Sequence, residues 1–333
     1  MEKQLFTVVM SCYNSEKFLK STLSSIIAQT YQNWELLAVD DTSDDSTYDI
    51  LKEFAAKDSR IRLFRQKENK GLTYNLNLLV SYAKGDYIVR HDADDISLPE
   101  RFEAMYEYVS NNKACSLIYS DYYIIDDEDN ILCLSQPVRS YDSLVSAFSQ
   151  GYNPIAHGSV VFKKEDVVKI GGYCESVIKG QDYDLYLRLI LNKNKFSCLE
   201  RPLYKQRVHG ESINQGHFNK NTVNYKSLDR EVYAKASLMA YHDGYKKQYN
   251  YYLDTAAMKN KNLNKVYPSG YSECLYALVG GKRKYIIKKA FFLIKTNPCF
   301  LKSYLLLLLS LIPFSGGKFL LTKRMPYFTL KKI

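Results

Sequence analysis

Two hydrophobic rhythms alternate along the first half of the chain. Residues 5–12 are a short apolar run, and residues 17–28 then place Phe18, Leu19, Leu23, Ile26 and Ile27 on one helix face. Residues 34–39 form a second apolar run that stops at Asp40-Asp41, and residues 43–46 offer capping side chains for a helix through Lys57. A third strand is expected at 61–64, a third helix at 73–83, and a fourth strand at 87–89 that ends in His91-Asp92-Ala93-Asp94-Asp95. Pro99 opens another helix and 117–119 predicts a fifth strand. Continuous apolar strands separated by helices predict an α/β fold with a parallel sheet covered on both faces. Ligands bind such sheets beyond the carboxyl ends of the strands, and both acidic clusters sit at such ends.

Further on, 160–163 reads as a strand, Gly171-Gly172 as a turn, and 183–191 as an amphipathic helix led by Gly180-Gln181-Asp182. Residues 227–260 read as helical and Tyr-rich, and the change of pattern near residue 220 divides the chain into 1–220 and 221–333. The N-terminus enters an apolar run at once and turns polar within a few residues, which reads as a buried strand and not as a signal peptide.

Composition sharpens this picture. The 333 residues, 46% hydrophobic and 25% charged, suffice for one large domain with an appendage or for two smaller ones. With 15 Gly and 8 Pro against 30 Tyr and 15 Phe, disordered and collagen-like classes are excluded. The net charge of +10 is local: residues 282–333 hold 12 of the 46 bases and no acid, leaving 34 bases against 36 acids elsewhere. The body of the chain is therefore no polycation built for nucleic acid. The 7 cysteines show no C-x-x-C spacing, which predicts reduced thiols in a cytoplasmic protein and argues against a zinc site or disulfide framework. The longest apolar run, 304–314, falls well short of the about 20 residues a bilayer span needs.

Three clusters carry candidate chemistry. Asp92 and Asp94, two apart at a strand end, offer hard oxygen ligands suited to Mg²⁺ or Mn²⁺; the same loop could instead cap the helix beginning near Ser97-Leu98-Pro99. Asp44, Asp45 and Ser46 already supply a cap after the second strand, so Asp40 and Asp41 are available to a ligand such as a ribose or base edge. No G-x-G-x-x-G or G-x-x-x-x-G-K-[ST] follows a strand, so a bound nucleotide would rely on a metal and side chains to neutralise its phosphates. Asp182 opens a helix, either to complement its dipole or to act as a general base. Arg188 could pair with Asp184 one turn away or touch a ligand.

Four segments in this order resemble the bacterial family 2 glycosyltransferases: VVMSCYNSEKFLKSTLSSIIAQTYQNWELLAVDDTSDDST, NKGLTYNLNLLVSYAKGDYIVRHDADDISLPERFE, GGYCESVIKGQDYDLYLRL and RPLYKQRVHGESIN. The likeness runs over roughly residues 5–215. It implies a GT-A fold, a Rossmann-like and mostly parallel sheet flanked by helices, here with a helical C-terminal extension. It implies that Asp41 contacts the uracil or equivalent base with Tyr13 nearby, and that Asp92 touches the ribose. Asp94 would bind the divalent cation (Mn²⁺ or Mg²⁺) bridging the donor diphosphate, with Asp95 in support and His209 close by. Asp182 would deprotonate the acceptor hydroxyl, and His157 would face the acceptor. One departure is Gln181, where the family commonly has Glu, so a second carboxylate has no counterpart here. The implied activity is inverting transfer from a nucleoside-diphosphate sugar, UDP-linked, to a glycan or polyprenyl-diphosphate-linked acceptor in surface polysaccharide (capsule, O-antigen or exopolysaccharide) synthesis. Two rivals are a D-x-D phosphotransferase, which has no use for Asp41, and a catalytically silent nucleotide-sugar-binding protein, which has no use for Asp182. The basic tail with its apolar run predicts peripheral association with the anionic inner leaflet, against the alternative of a helical cap on the domain.

Overall fold

The computed structural model describes residues 4–149, 152–175, 177 and 180–209, with 287, 290, 291 and 329–331 nearer the C-terminus. The unbroken apolar run Phe6–Cys12 forms β1, flanked in parallel by β2 (Trp34–Asp40) and β4 (Tyr87–Arg90), and β3 (Ile61–Arg65) adds outside β2. Three helices connect them: α1 (Glu16–Ile27), α2 (Thr47–Lys57) and α3 (Leu72–Tyr82). Alternate residues of these strands enter separate cores. Val8, Met10, Leu36 and Ala38 meet Leu19, Leu23 and Ile26 of α1, joined by Phe102 and Met105 of α4 (Arg101–Asn111). Val9, Leu37 and Val39 meet Leu76 and Leu79 of α3 and Leu185 and Leu189 of α7 (Gln181–Leu191). Each fully buried aliphatic side chain contributes about 1.5–3 kcal/mol. Burial on both faces explains why these strands read as continuous apolar runs.

The second half of the sheet is mixed. β6 (Cys115–Ile125) and β8 (Val161–Lys163) pair antiparallel, and β8 also runs antiparallel to β4. β7 (Ile131–Gln136) is antiparallel to β6, and β10 (Thr329–Lys331) is antiparallel to β7 at the edge. β9 (Lys195–Arg207) runs parallel to β6 and bonds antiparallel to the two-residue β5 (Ile96–Ser97). Three helical pieces complete the described elements: α5 (Tyr141–Ser149), α6 (Lys164–Lys169) and a 3₁₀ turn at His157–Ser159.

The fifth strand is much longer than its apolar stretch. Ser116, Ser120 and Asp121 are buried inside β6, where Arg139 neutralises Asp121. The pattern gave no sign of β5, β7, β9, β10, α5, α6 or the 3₁₀ turn; β9 carries Arg201-Pro202 and alternates too loosely to read as a strand. The expected helical region at 227–260 and the boundary near 220 lie outside the described residues, as does most of the basic tail. Among the described residues no helix is long and apolar enough to cross a membrane. Register sets the site: Cys12 lies opposite Asp40 and Val9 opposite Arg90, so the loops after β1, β2 and β4 leave one edge of the sheet together.

Candidate active site

The two acids that end β2 and follow it part ways. Asp40 is fully buried, accepts from the Ser43 amide at 3.3 Å and pairs with Arg65 at 3.3 Å. Asp41 accepts the backbone N–H groups of Lys70 and Gly71 at 2.8 and 2.9 Å, one on each carboxylate oxygen. Its own N–H donates to the Cys12 carbonyl at 2.8 Å. The Asn-Lys-Gly loop that opens α3 is thereby fastened beside Tyr13, whose side chain is half exposed. Gly71 has φ +80°, a conformation only glycine adopts cheaply. Capping falls to Asp45, which accepts from the amides of Glu16 (3.1 Å) and Thr47 (2.9 Å) and so joins the starts of α1 and α2. Burial pushes its carboxyl up, but the bonds from Thr47 and Glu16 outweigh this and hold it below the usual range.

The acidic loop after β4 rests on two fully buried arginines. Arg90 donates to the Asp92 carboxylate and the His91 carbonyl. Arg101 donates to Ser97 Oγ (3.0 Å) and to the carbonyls of Arg90 (3.1 Å) and Gly158 (2.8 Å), over the ring of Tyr204. Burial lowers the pKa of Arg101 to about 10. His91 bridges the Asp92 carbonyl (2.7 Å) and Ser97 Oγ (3.0 Å). Burial, with the charge of Arg101, holds this imidazole neutral well below the usual histidine range.

The three carboxylates of the loop then face different partners. Asp95 is buried and accepts from the Arg207 amide at 2.7 Å and from the Tyr204 hydroxyl; burial and the charges of Asp94 and Asp92 raise its pKa well above the usual value. Asp92 is also raised by burial, against the opposing charge of Arg90, and it feels Asp94 and Asp182. Asp94, about as exposed as Asp92 (31% against 33% of the side chain), has Oδ2 2.9 Å from His209 Nε2. The carboxylate oxygen suits Mn²⁺ or Mg²⁺, and the imidazole nitrogen beside it, a softer donor, fits Mn²⁺ better than the all-oxygen preference of Mg²⁺. Among the described residues no group of three His, Cys, Asp or Glu side chains is set to hold a metal alone. Two protein donors completed by phosphate oxygens are a usual arrangement for such ions.

Asp182 lies in the first turn of α7, after Gly180 in the left-handed conformation. Its two oxygens accept from the Tyr183 amide at 2.8 Å and the Asn153 side-chain amide at 2.6 Å. Its charge is felt at Asp92, Tyr173 and Tyr186, which gathers these groups around one region. Asp184 instead is buried and bound to Arg188, which also donates to the carbonyls of Ile170 (3.0 Å) and Gly172 (2.8 Å). Arg188 is thus a brace under α7. His157 Nε2 lies 2.8 Å from the Tyr173 hydroxyl, and burial with the charge of Arg90 keeps this ring neutral well below the histidine range.

Comparison with known proteins identifies the family. Residues 7–163 match the family Glycosyl transferase family 2. An uncharacterized glycosyltransferase of Methanocaldococcus jannaschii is 35% identical over 210 residues, covering 62% of this chain and 72% of that protein. The chain belongs to glycosyltransferase family 2. Another relative, the Escherichia coli UDP-Glc:alpha-D-GlcNAc-diphosphoundecaprenol beta-1,3-glucosyltransferase WfgD, is 29% identical over 221 residues, 66% of this chain and 83% of that one. The crystal structure of S. aureus TarS 1–349 in complex with UDP-GlcNAc has the same GT-A fold, with a TM-score of 0.54 at 15% identity over 85% of this chain and 80% of that one.

Several residues that brace these acids carry little or no signal in the sequence. Arg90 had a signal, since a charge that ends an apolar strand needs a partner. Arg101, Asn153, Tyr204 and Arg207 had none, because each meets its partner only across the fold.

Proposed function

We propose that this family 2 glycosyltransferase transfers a sugar, with inversion, from a UDP-sugar to a glycan or polyprenyl-diphosphate-linked acceptor in bacterial surface polysaccharide assembly. One observation carries the reading: at the end of β4 Asp94 stands 2.9 Å from His209 beside an Asp92 held by Arg90, while Asn153 and the Tyr183 amide hold Asp182 at the start of α7. In this reading Asp41 and Tyr13 take the base, Asp92 takes the ribose, and Asp94 with His209 holds a divalent cation. Asp95, turned inward, fixes the loop and not the ligand. A cation held by Asp94 and His209 would supply charge stabilisation for the departing diphosphate. Asp182 takes the proton of the acceptor hydroxyl as it attacks the anomeric carbon. The Asn153 side-chain amide and the Tyr183 N–H each donate to one of its oxygens and so fix the direction of the carboxylate.

A nucleoside diphosphate leaves without needing a proton, so one carboxylate base suffices for in-line displacement and inversion. Hydrolases, in contrast, set two carboxyl groups around one bond. Support for a UDP donor and a lipid-diphosphate acceptor comes from the name of WfgD, and the fold is one that holds UDP-GlcNAc in TarS. Residues 1–220 would form the catalytic domain. Residues 221–333, with 12 bases and no acid after 281, would bring it to the cytoplasmic membrane face.

The deciding experiment offers the full-length protein a panel of UDP- and GDP-sugars with lipid-diphosphate acceptors. Release of nucleoside diphosphate from one donor, abolished by EDTA, with inverted configuration in the product, is the expected result. Retained configuration, or release from none of the donors, would overturn the reading.

A further inference from the structure

Arg207 closes β9 two residues before His209 and is almost wholly buried. Its whole polar end is engaged. The backbone N–H donates to the Asp95 carboxylate and Nε to the Asp94 carbonyl, both at 2.7 Å. Nη1 donates to the Asp126 carbonyl at 2.8 Å, and Nη2 pairs with the Asp129 carboxylate. The guanidinium also lies 4.3 Å from the ring centre of Phe18, the same ring that packs 4.8 Å from His209. A single side chain therefore ties together the Asp94 loop, the β6–β7 hairpin, α1 and the strand that delivers His209.

We propose that Arg207 is a positioning residue for the divalent-cation site, setting the distance between Asp94 and His209 through the loop and strand it clamps. This rests on the reading that Asp94 and His209 hold the cation. Those two side chains come from segments 115 residues apart, and neither β4 nor β9 alone fixes their separation. The guanidinium is a rigid planar fork with several fixed donors, which a lysine ammonium cannot reproduce although it keeps the charge. Residues that orient metal ligands without touching the metal are typically worth about 10–100-fold in metal affinity.

The test is calorimetric titration of Mn²⁺ into full-length protein saturated with UDP or GDP, whichever the wild type binds. Arg207→Lys should weaken Mn²⁺ binding about 10-fold or more and leave affinity for the corresponding nucleoside, which carries no phosphate, unchanged. Asp129→Ala removes one partner of the fork from an exposed side chain and should weaken Mn²⁺ in the same direction by less. Should Arg207→Lys fail to fold, Asp129→Ala decides alone, and unchanged Mn²⁺ affinity in it overturns the proposal. Mn²⁺ binding equal to wild type in both variants overturns it while leaving the cation reading intact. Nucleoside affinity falling in parallel would make Arg207 a general prop of the fold, and the proposal would be wrong. If Asp94→Ala binds Mn²⁺ as the wild type does, the cation reading fails and this inference with it.

Discussion

Asp92, Asp94 and Asp95 share one functional group and differ in what faces them. Asp95 is buried on an amide and a hydroxyl, while Asp92 and Asp94 both reach solvent, Asp92 from a buried arginine and Asp94 beside His209. Asp94→Ala should therefore abolish transfer and remove the divalent-cation dependence of nucleoside diphosphate affinity. Wild-type enzyme turning over fully in EDTA would rule that role out. Asp182→Asn keeps the shape of the side chain but removes the base, so transfer should fall by ~10²-fold or more while donor affinity holds. Wild-type turnover in this variant would place the base elsewhere. A third residue-scale prediction concerns His91, which burial keeps neutral. On acidification the unfolded chain takes up its proton first, near the ordinary pKa of about 6.5. The contribution is fully present above that pH and is lost below it, at up to about 1.4 kcal/mol per pH unit. His91→Gln should be less stable near neutrality yet lose stability less steeply on acidification. Denaturant midpoints measured from about pH 7.5 to 5.5 check this, and an unchanged slope would refute it.

At the scale of elements, the acidic loop depends on two neighbouring elements, β9 and the 3₁₀ turn. β9 presents Tyr204, whose hydroxyl accepts from the Asp92 amide at 3.3 Å and donates to Asp95. The 3₁₀ turn His157–Ser159 presents Gly158, whose carbonyl receives Arg101. A Cβ on Gly158 would collide with that tyrosine hydroxyl. Gly158→Ala should accordingly cost about 1–3 kcal/mol of stability, the range for overpacking, and also lower kcat through the displaced Asp92. Thermal unfolding and single-donor kinetics measured together check it: if both match wild type, Tyr204 gives way freely and the coupling is absent.

For the molecule as a whole, charge is segregated. The body is near neutral and residues 282–333 carry 12 bases without an acid, beside the apolar run 304–314. Basic residues at an anionic surface gain about 1 kcal/mol each, and salt screens the gain. Full-length protein should sediment with anionic vesicles at low salt and be partly released as salt rises. Because β10 pairs with the edge of β7, charge substitution tests this more cleanly than truncation. Replacing Lys282, Arg283 and Lys284 together by Gln should weaken sedimentation and leave nucleotide binding intact. Protein that stays in the supernatant at every salt concentration would favour the packed helical cap.

Apart from the two-residue β5, the order of strands and helices through residue 111 was legible because its causes are local: apolar runs buried on both faces, helical spacing of Leu19, Leu23 and Ile26, and polar breaks between them. So were the acids that end the strands, since a carboxylate beyond a buried run stands out. The second half hid its elements where burial is polar, as with Asp121 in β6, or where pairing rather than pattern makes the strand, as in β9. Only the tertiary structure decided how the acids divide their work. Whether Asp94 faces His209 while Asp95 turns inward depends on partners more than a hundred residues away. Those partners are delivered by the pairing of β9 with β5 and β6, strands far from it along the chain.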